Sequence, residues 1–203
     1  RDKFDNFVKD YFNENAFAAM DTEHFVVYLK EYYQKKYSIT VEDSFIQSWI
    51  YTEGLPADCS KPASDRFKKV DAFLEQWIKT GKLDAVQAKE WSTHEWLHFL
   101  KNLPDTLSQS QMKALDDFGN LTASGNSEIV TVWLTRAIRH DYHAADMRLE
   151  AFLINTGRRK FLNPLYNELI KTPEGKQRAM AIYKKARPNY HFVATNTFDK
   201  LLK

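Results

Sequence analysis

One cysteine in 203 residues, Cys59, excludes an internal disulfide framework and a thiolate metal cluster within the chain. It fits a reducing compartment, and the cytoplasm is the expected location. Glycine and proline are scarce, six of each, so few positions interrupt a helix and no glycine-rich phosphate loop is present. Neither sign of charge dominates: 29 Lys and Arg stand among 27 Asp and Glu, for a net charge of +2. No nucleic-acid partner is expected from that balance. No apolar run approaches the roughly 20 residues of a membrane span, and the N-terminus lacks a basic-then-apolar signal pattern. A membrane partner is therefore not expected either. The chain opens on Arg1 rather than methionine, which leads to the expectation of a piece of something longer.

Hydrophobic residues make up 43% of the chain and recur at three-and-four spacing rather than in alternation, so the predicted fold class is all-α. Phe4, Phe7, Val8 and Tyr11 form one stripe. Phe25, Val26, Leu29, Tyr32 and Tyr33 form a second after a cap at Asp21, and Phe45, Ile46, Trp49 and Ile50 form a third. Gly54 to Pro62 carries two prolines and no helical pattern, as a domain boundary would. Beyond it the spacing predicts short helices near 64–79, 84–90, 93–102, 109–117, 127–139, 144–156, 160–170, 174–186 and 190–202. Tight turns between such helices favour antiparallel neighbours stacked as ARM/HEAT-like helix pairs in an α-α superhelix, without a repeat of fixed period. Trp77, Trp91, Trp96 and Trp133 fall on or beside apolar stripes and are expected in the core.

His94-Glu95-Trp96-Leu97-His98 matches H-E-x-x-H, in which two histidines one turn apart hold zinc and the glutamate activates water. Asp117 even stands where one class of zinc peptidase places a third, glutamate ligand. Three features oppose that reading. Ser92 and Glu95 have the spacing of a capping box, which turns Glu95 back to the Ser92 N–H. Pro104 soon ends the helix, and aspartate is shorter than the glutamate such a site uses. His94, Glu95 and His98 are therefore read as a coincidental motif, with no metal expected in this chain. His140 and His143, at a helix junction, read as a solvated pair.

Gly157-Arg158-Arg159-Lys160-Phe161 is a dense basic turn between two apolar helices. Gly157 has the place of a C′ glycine after Ala151, Phe152, Leu153 and Ile154, where cations would meet the negative end of the helix dipole. The same residues could clasp an anion, because arginine offers a planar fork and lysine a mobile point charge.

Several segments together resemble the leukotriene hydrolase/aminopeptidase branch of the gluzincin zinc aminopeptidases. Trp49-Ile50-Tyr51-Thr52-Glu53-Gly54-Leu55-Pro56 is similar to the W-L-Y-x-x-G-L-P segment of that branch. Asn126-Ser127-Glu128-Ile129 with Trp133-Leu134 resembles its N-S-E-I-x-x-x-W-L, and Gly157 to Phe161 with Pro164-Leu165 its G-R-x-K-F-x-x-P-L. His191-Phe192 departs from the expected His-Pro.

The resemblance implies that residues 1–57 are the C-terminal helical end of a thermolysin-like catalytic domain, 58–66 a linker and 67–203 the helical C-terminal domain. It implies zinc in the full-length enzyme, on residues upstream of Arg1. It also implies that Arg158 and Lys160 hold a substrate carboxylate, of a short peptide or of a fatty-acid epoxide, while Arg159 faces elsewhere. The fragment alone would be inactive, its partners being short peptides and its own catalytic domain upstream. A stand-alone helical-repeat scaffold binding a protein partner is the rival reading of the same chain.

Overall fold

Apolar stripes become helices here where polar side chains close their N-termini. In the computed structural model, which describes residues 1–60 and 62–203, Asp21 accepts from the His24 N–H at 2.8 Å and starts a helix over Thr22–Tyr37. The same device appears at Asp84, Ser108, Asn126 and Thr172. A missing cap costs on the order of 1 kcal/mol, so these residues decide where each helix starts. Lys61, in the expected linker, lies outside the described residues.

The chain divides into two units, Arg1–Pro62 and Ala63–Lys203. The first contains α1 (Asp2–Glu14), α2 (Thr22–Tyr37) and the short α3 (Asp43–Ile46). Phe7 stands in contact with the rings of Tyr11, Phe25, Tyr28, Tyr32 and Tyr33, centroids 5.3 to 6.1 Å apart. Phe7 and Ile46 are nevertheless its only buried apolar side chains among the described residues. The third stripe was expected as an ordinary helix, but after Ile46 the chain widens into a π-turn over Gln47–Tyr51. The Thr52 hydroxyl donates to the Gln47 carbonyl at 2.9 Å and closes that wider turn.

The second unit holds α4 (Asp65–Thr80), α5 (Ala85–Ala88), α6 (Thr93–Asn102), α7 (Gln109–Gly119), α8 (Ser127–Arg139), α9 (Asp146–Asn155), α10 (Arg159–Leu169), α11 (Pro173–Ala186) and α12 (Phe192–Leu201). All nine helices read from spacing are present. α4 starts inside the segment expected as linker, because Ser64 accepts from the Phe67 N–H at 3.4 Å. Alternate helices stack: α4 on α6, α6 on α8, α8 on α10, with α9 on α11 and α10 also against α11. One contiguous core runs through them from Val70 to Leu202, with Trp133, Phe99, Tyr166 and Phe198 fully enclosed. Trp77 is buried as well, while Trp91 and Trp96 are half-buried against the same core. No helix among the described residues is long and apolar enough to cross a membrane.

Stacking of alternate helices puts their N-termini along one edge of the row. The Asn126 side chain, which caps α8, donates to the Thr93 hydroxyl at the start of α6 at 2.9 Å. The opposite edge is pinned by Arg136, which donates to the carbonyls of Lys101, Leu103 and Pro104 at 2.9 to 3.1 Å and so satisfies the end of α6.

Candidate functional site

The basic turn joins α9 to α10 at the N-terminal edge of the row. Gly157 stands at the C′ position read from the sequence, one residue past the α9 C-cap Thr156, with the cations following it. Among glycines only Gly54 and Gly81 have positive φ, so Gly157 leaves α9 without a left-handed residue. Thr156, the C-cap, is itself extended at φ −109° and ψ 119°. Arg158 is the N-cap residue of α10, and Arg159 and Lys160 fill its first turn. All three cations therefore stand at the positive end of a helix dipole, an arrangement unfavourable to folding but favourable to an incoming anion.

What anchors this turn lies beneath it. Phe161, Leu162, Leu165, Tyr166 and Leu169 form the buried face of α10. The Tyr190 hydroxyl donates to the Leu153 carbonyl at 2.6 Å, near the end of α9, and lies 3.1 Å from the Tyr166 hydroxyl. Burial pushes the Tyr190 phenol up to about 12, so it remains a donor at ordinary pH. Pro164 sits inside α10, and having no N–H it leaves the Lys160 carbonyl without its helical partner.

Arg158 and Lys160 each place their charged group 5.5 Å from the Phe161 ring centroid. The Arg158 guanidinium is exposed and has no hydrogen-bond or ion-pair partner among the described residues. Lys160 does have one, Glu128 in the first turn of α8, with Nζ 2.5 Å from Oε1. Arg159 turns toward α12, its guanidinium 3.4 Å from the Thr197 hydroxyl. Arg159 and Lys160, with Asn163, Pro164 and Thr197, line an open cleft of about 440 Å³.

The residues of H-E-x-x-H diverge. Glu95 accepts from the N–H and hydroxyl of Ser92 at 2.9 and 2.7 Å, closing a capping box, and from Arg66 on α4 at 2.6 Å. Arg66 above all, with the Ser92 N–H, holds its carboxyl at about 2 against the opposing effect of burial. His98 lies 2.6 Å from an Asp71 oxygen and stacks on Phe67 with centroids 4.4 Å apart, while His94 is exposed. Among the described residues no group of three or more His, Cys, Asp or Glu is placed to hold a metal ion. His140 and His143 separate likewise: His140 lies between the carbonyls of Arg136 and Asp105, and His143 faces Asp146.

Sequence reasoning missed the charged groups inside the stack. Arg139 and Lys171 both reach Glu168, a buried carboxylate at the C-terminal edge. Burial pushes that carboxyl up, but its bonds from Arg139 and Lys171 outweigh burial and hold it below the usual range. Glu128 was also missed as a partner of Lys160. Both lie within quoted motifs, but 32 positions separate them and no local pattern joins them.

Alternate helices stacked around a continuous core define an all-helical domain of stacked helix pairs. A solved structure of native yeast LTA4 hydrolase has this fold, with a TM-score of 0.71 over 98% of this chain and 35% of that one, at 22% identity. The family described as "Leukotriene A4 hydrolase, C-terminal" matches residues 91–202, and the chain belongs to that family. Its relatives include leukotriene A-4 hydrolase of Xenopus laevis, 26% identical over 93% of this chain, and mouse aminopeptidase B, 25% identical over 84%. Leucine aminopeptidase 2 of Candida albicans is 26% identical over 98% of it. The chain spans 32%, 28% and 34% of the lengths of these three relatives.

Proposed function

We propose that this chain is the C-terminal region of a zinc-dependent aminopeptidase, in which Arg158 and Lys160 anchor the carboxylate of a short peptide while an upstream catalytic domain removes the N-terminal residue. The names of the relatives support the peptidase reading. The observation that carries the anchoring role is the exposed Arg158 guanidinium at the start of α10, without a partner among the described residues and, like the Lys160 ammonium, 5.5 Å from the Phe161 ring centroid. A guanidinium can hold a carboxylate by two parallel N–H bonds, and the helix N-terminus adds to the attraction.

Residues 1–57 are read as the end of the catalytic domain and 67–203 as the helical domain that measures the substrate's far end. The chain's own histidines do not fit a zinc ion, since Glu95 and His98 are each engaged elsewhere. Zinc belongs to residues upstream in this reading, and the chain alone is inactive. Anchoring the far carboxylate uses remote binding energy to align the scissile bond, which can raise kcat as well as lower KM. Hydrolysis of a fatty-acid epoxide whose carboxylate occupies the same clasp is a second activity within this reading.

The test is Arg158→Ala in the full-length enzyme. Activity on tripeptides with free carboxylates is expected to fall roughly tenfold or more, while single-residue amide substrates change little. Equal losses on both would show that Arg158 does not anchor a carboxylate.

A further inference from the structure

The clasp already contains a carboxylate of the protein's own. Lys160 Nζ donates to Glu128 Oε1, the kind of charge-assisted bond that a substrate carboxylate would itself make. Glu128 is held in place by its backbone: its N–H donates to the capping Asn126 side chain at 3.0 Å, and Asn126 is tied in turn to Thr93 on α6. Arg158 has no such partner among the described residues. Of the three cations in the turn, Arg159 is directed to Thr197 on α12, and Glu128 cancels one of the two charges of the Arg158–Lys160 pair.

We propose that Glu128 is a specificity-determining residue that matches this clasp to substrates ending in one carboxylate and disfavours those ending in two. The inference rests on the reading of Arg158 and Lys160 as a carboxylate clasp. A peptide with a neutral last side chain brings the group to neutrality. A last residue of aspartate adds a second carboxylate, and Lys160, already paired with Glu128, has little charge left to offer it. Glu128 touches no substrate in this scheme. It acts through Lys160, fixing a flexible ammonium and cancelling half of the clasp's charge.

Glu128→Gln removes the charge while keeping an oxygen that can accept from Lys160. The full-length enzyme is assayed on three tripeptides that differ only at the last residue: glycinamide, glycine and aspartate. In E128Q the kcat/KM for the aspartate peptide relative to the glycine peptide is expected to rise about fivefold, mainly through KM. The rise should vanish when Lys160→Met is present in both backgrounds. An unchanged ratio in E128Q overturns the inference, and so does a rise that persists without Lys160. R158A is measured on the same peptides. If it lowers the glycine peptide relative to the glycinamide peptide, the clasp stands and a failure belongs to Glu128 alone. If it lowers both equally, the clasp reading has failed and the inference falls with it.

Discussion

The Glu95 carboxylate is satisfied from three sides, by the N–H and hydroxyl of Ser92 and by Arg66. Its folded value of about 2 lies below the ordinary 4.5, so its stabilising contribution is complete above 4.5 and disappears as pH falls through about 2. Glu95→Gln should therefore lower the urea midpoint at neutral pH, and its deficit against the natural protein should shrink between pH 4.5 and 2. Glu95→Ala, which removes the cap as well, is expected to cost about 1 kcal/mol or more at pH 7. The Ser92–Glu95 half of this arrangement was legible, since three-residue spacing is a local rule. Arg66 was not, because it comes from 29 residues away and only the packing of α4 on α6 brings it there. Tyr190 makes the same point in the core. Tyr190→Phe leaves the Leu153 carbonyl without its donor and should cost roughly 1–3 kcal/mol in chemical denaturation, loosening the turn that carries Arg158.

Helix ends separate two glycines that look alike in sequence. Gly81 follows α4 with φ 70°, in the left-handed region, whereas Gly157 follows α9 without positive φ. A Cβ on Gly157 would meet nothing closer than the Asn189 carbonyl at 3.8 Å. Gly157→Ala is accordingly expected to be neutral or to stabilise by up to about 0.5 kcal/mol, and Gly81→Ala to destabilise by about 1 kcal/mol. Thermal unfolding of the two variants distinguishes them. The cost of a left-handed conformation depends on backbone angles that a glycine after an apolar run does not reveal. Element positions were otherwise well read, because periodicity and caps are properties of neighbours within a turn or two. The π-turn at Gln47–Tyr51 escaped, since one extra residue in a short segment barely alters its apolar spacing.

At the scale of the molecule the two units differ in what they bury. Residues 63–203 enclose a continuous core, while among the described residues of 1–62 the buried apolar side chains are Phe7 and Ile46, and Phe12, Phe17 and Leu55 are mostly exposed. A fragment of 63–203 is expected to unfold cooperatively in urea with helical circular dichroism, and a fragment of 1–62 to show no cooperative transition. A cooperative transition in the shorter piece would overturn this difference. The sequence by itself determined the all-helical class, the place of each helix in residues 63–203, the capping box and the resemblance to the family, because each rests on residues close along the chain. Only the tertiary structure decided which charges meet: Glu128 with Lys160, Arg66 with Glu95, Arg139 with Glu168. It also decided that Gly157 leaves α9 without a positive φ. These depend on how alternate helices stack, and stacking joins residues about thirty positions apart that no periodic pattern connects.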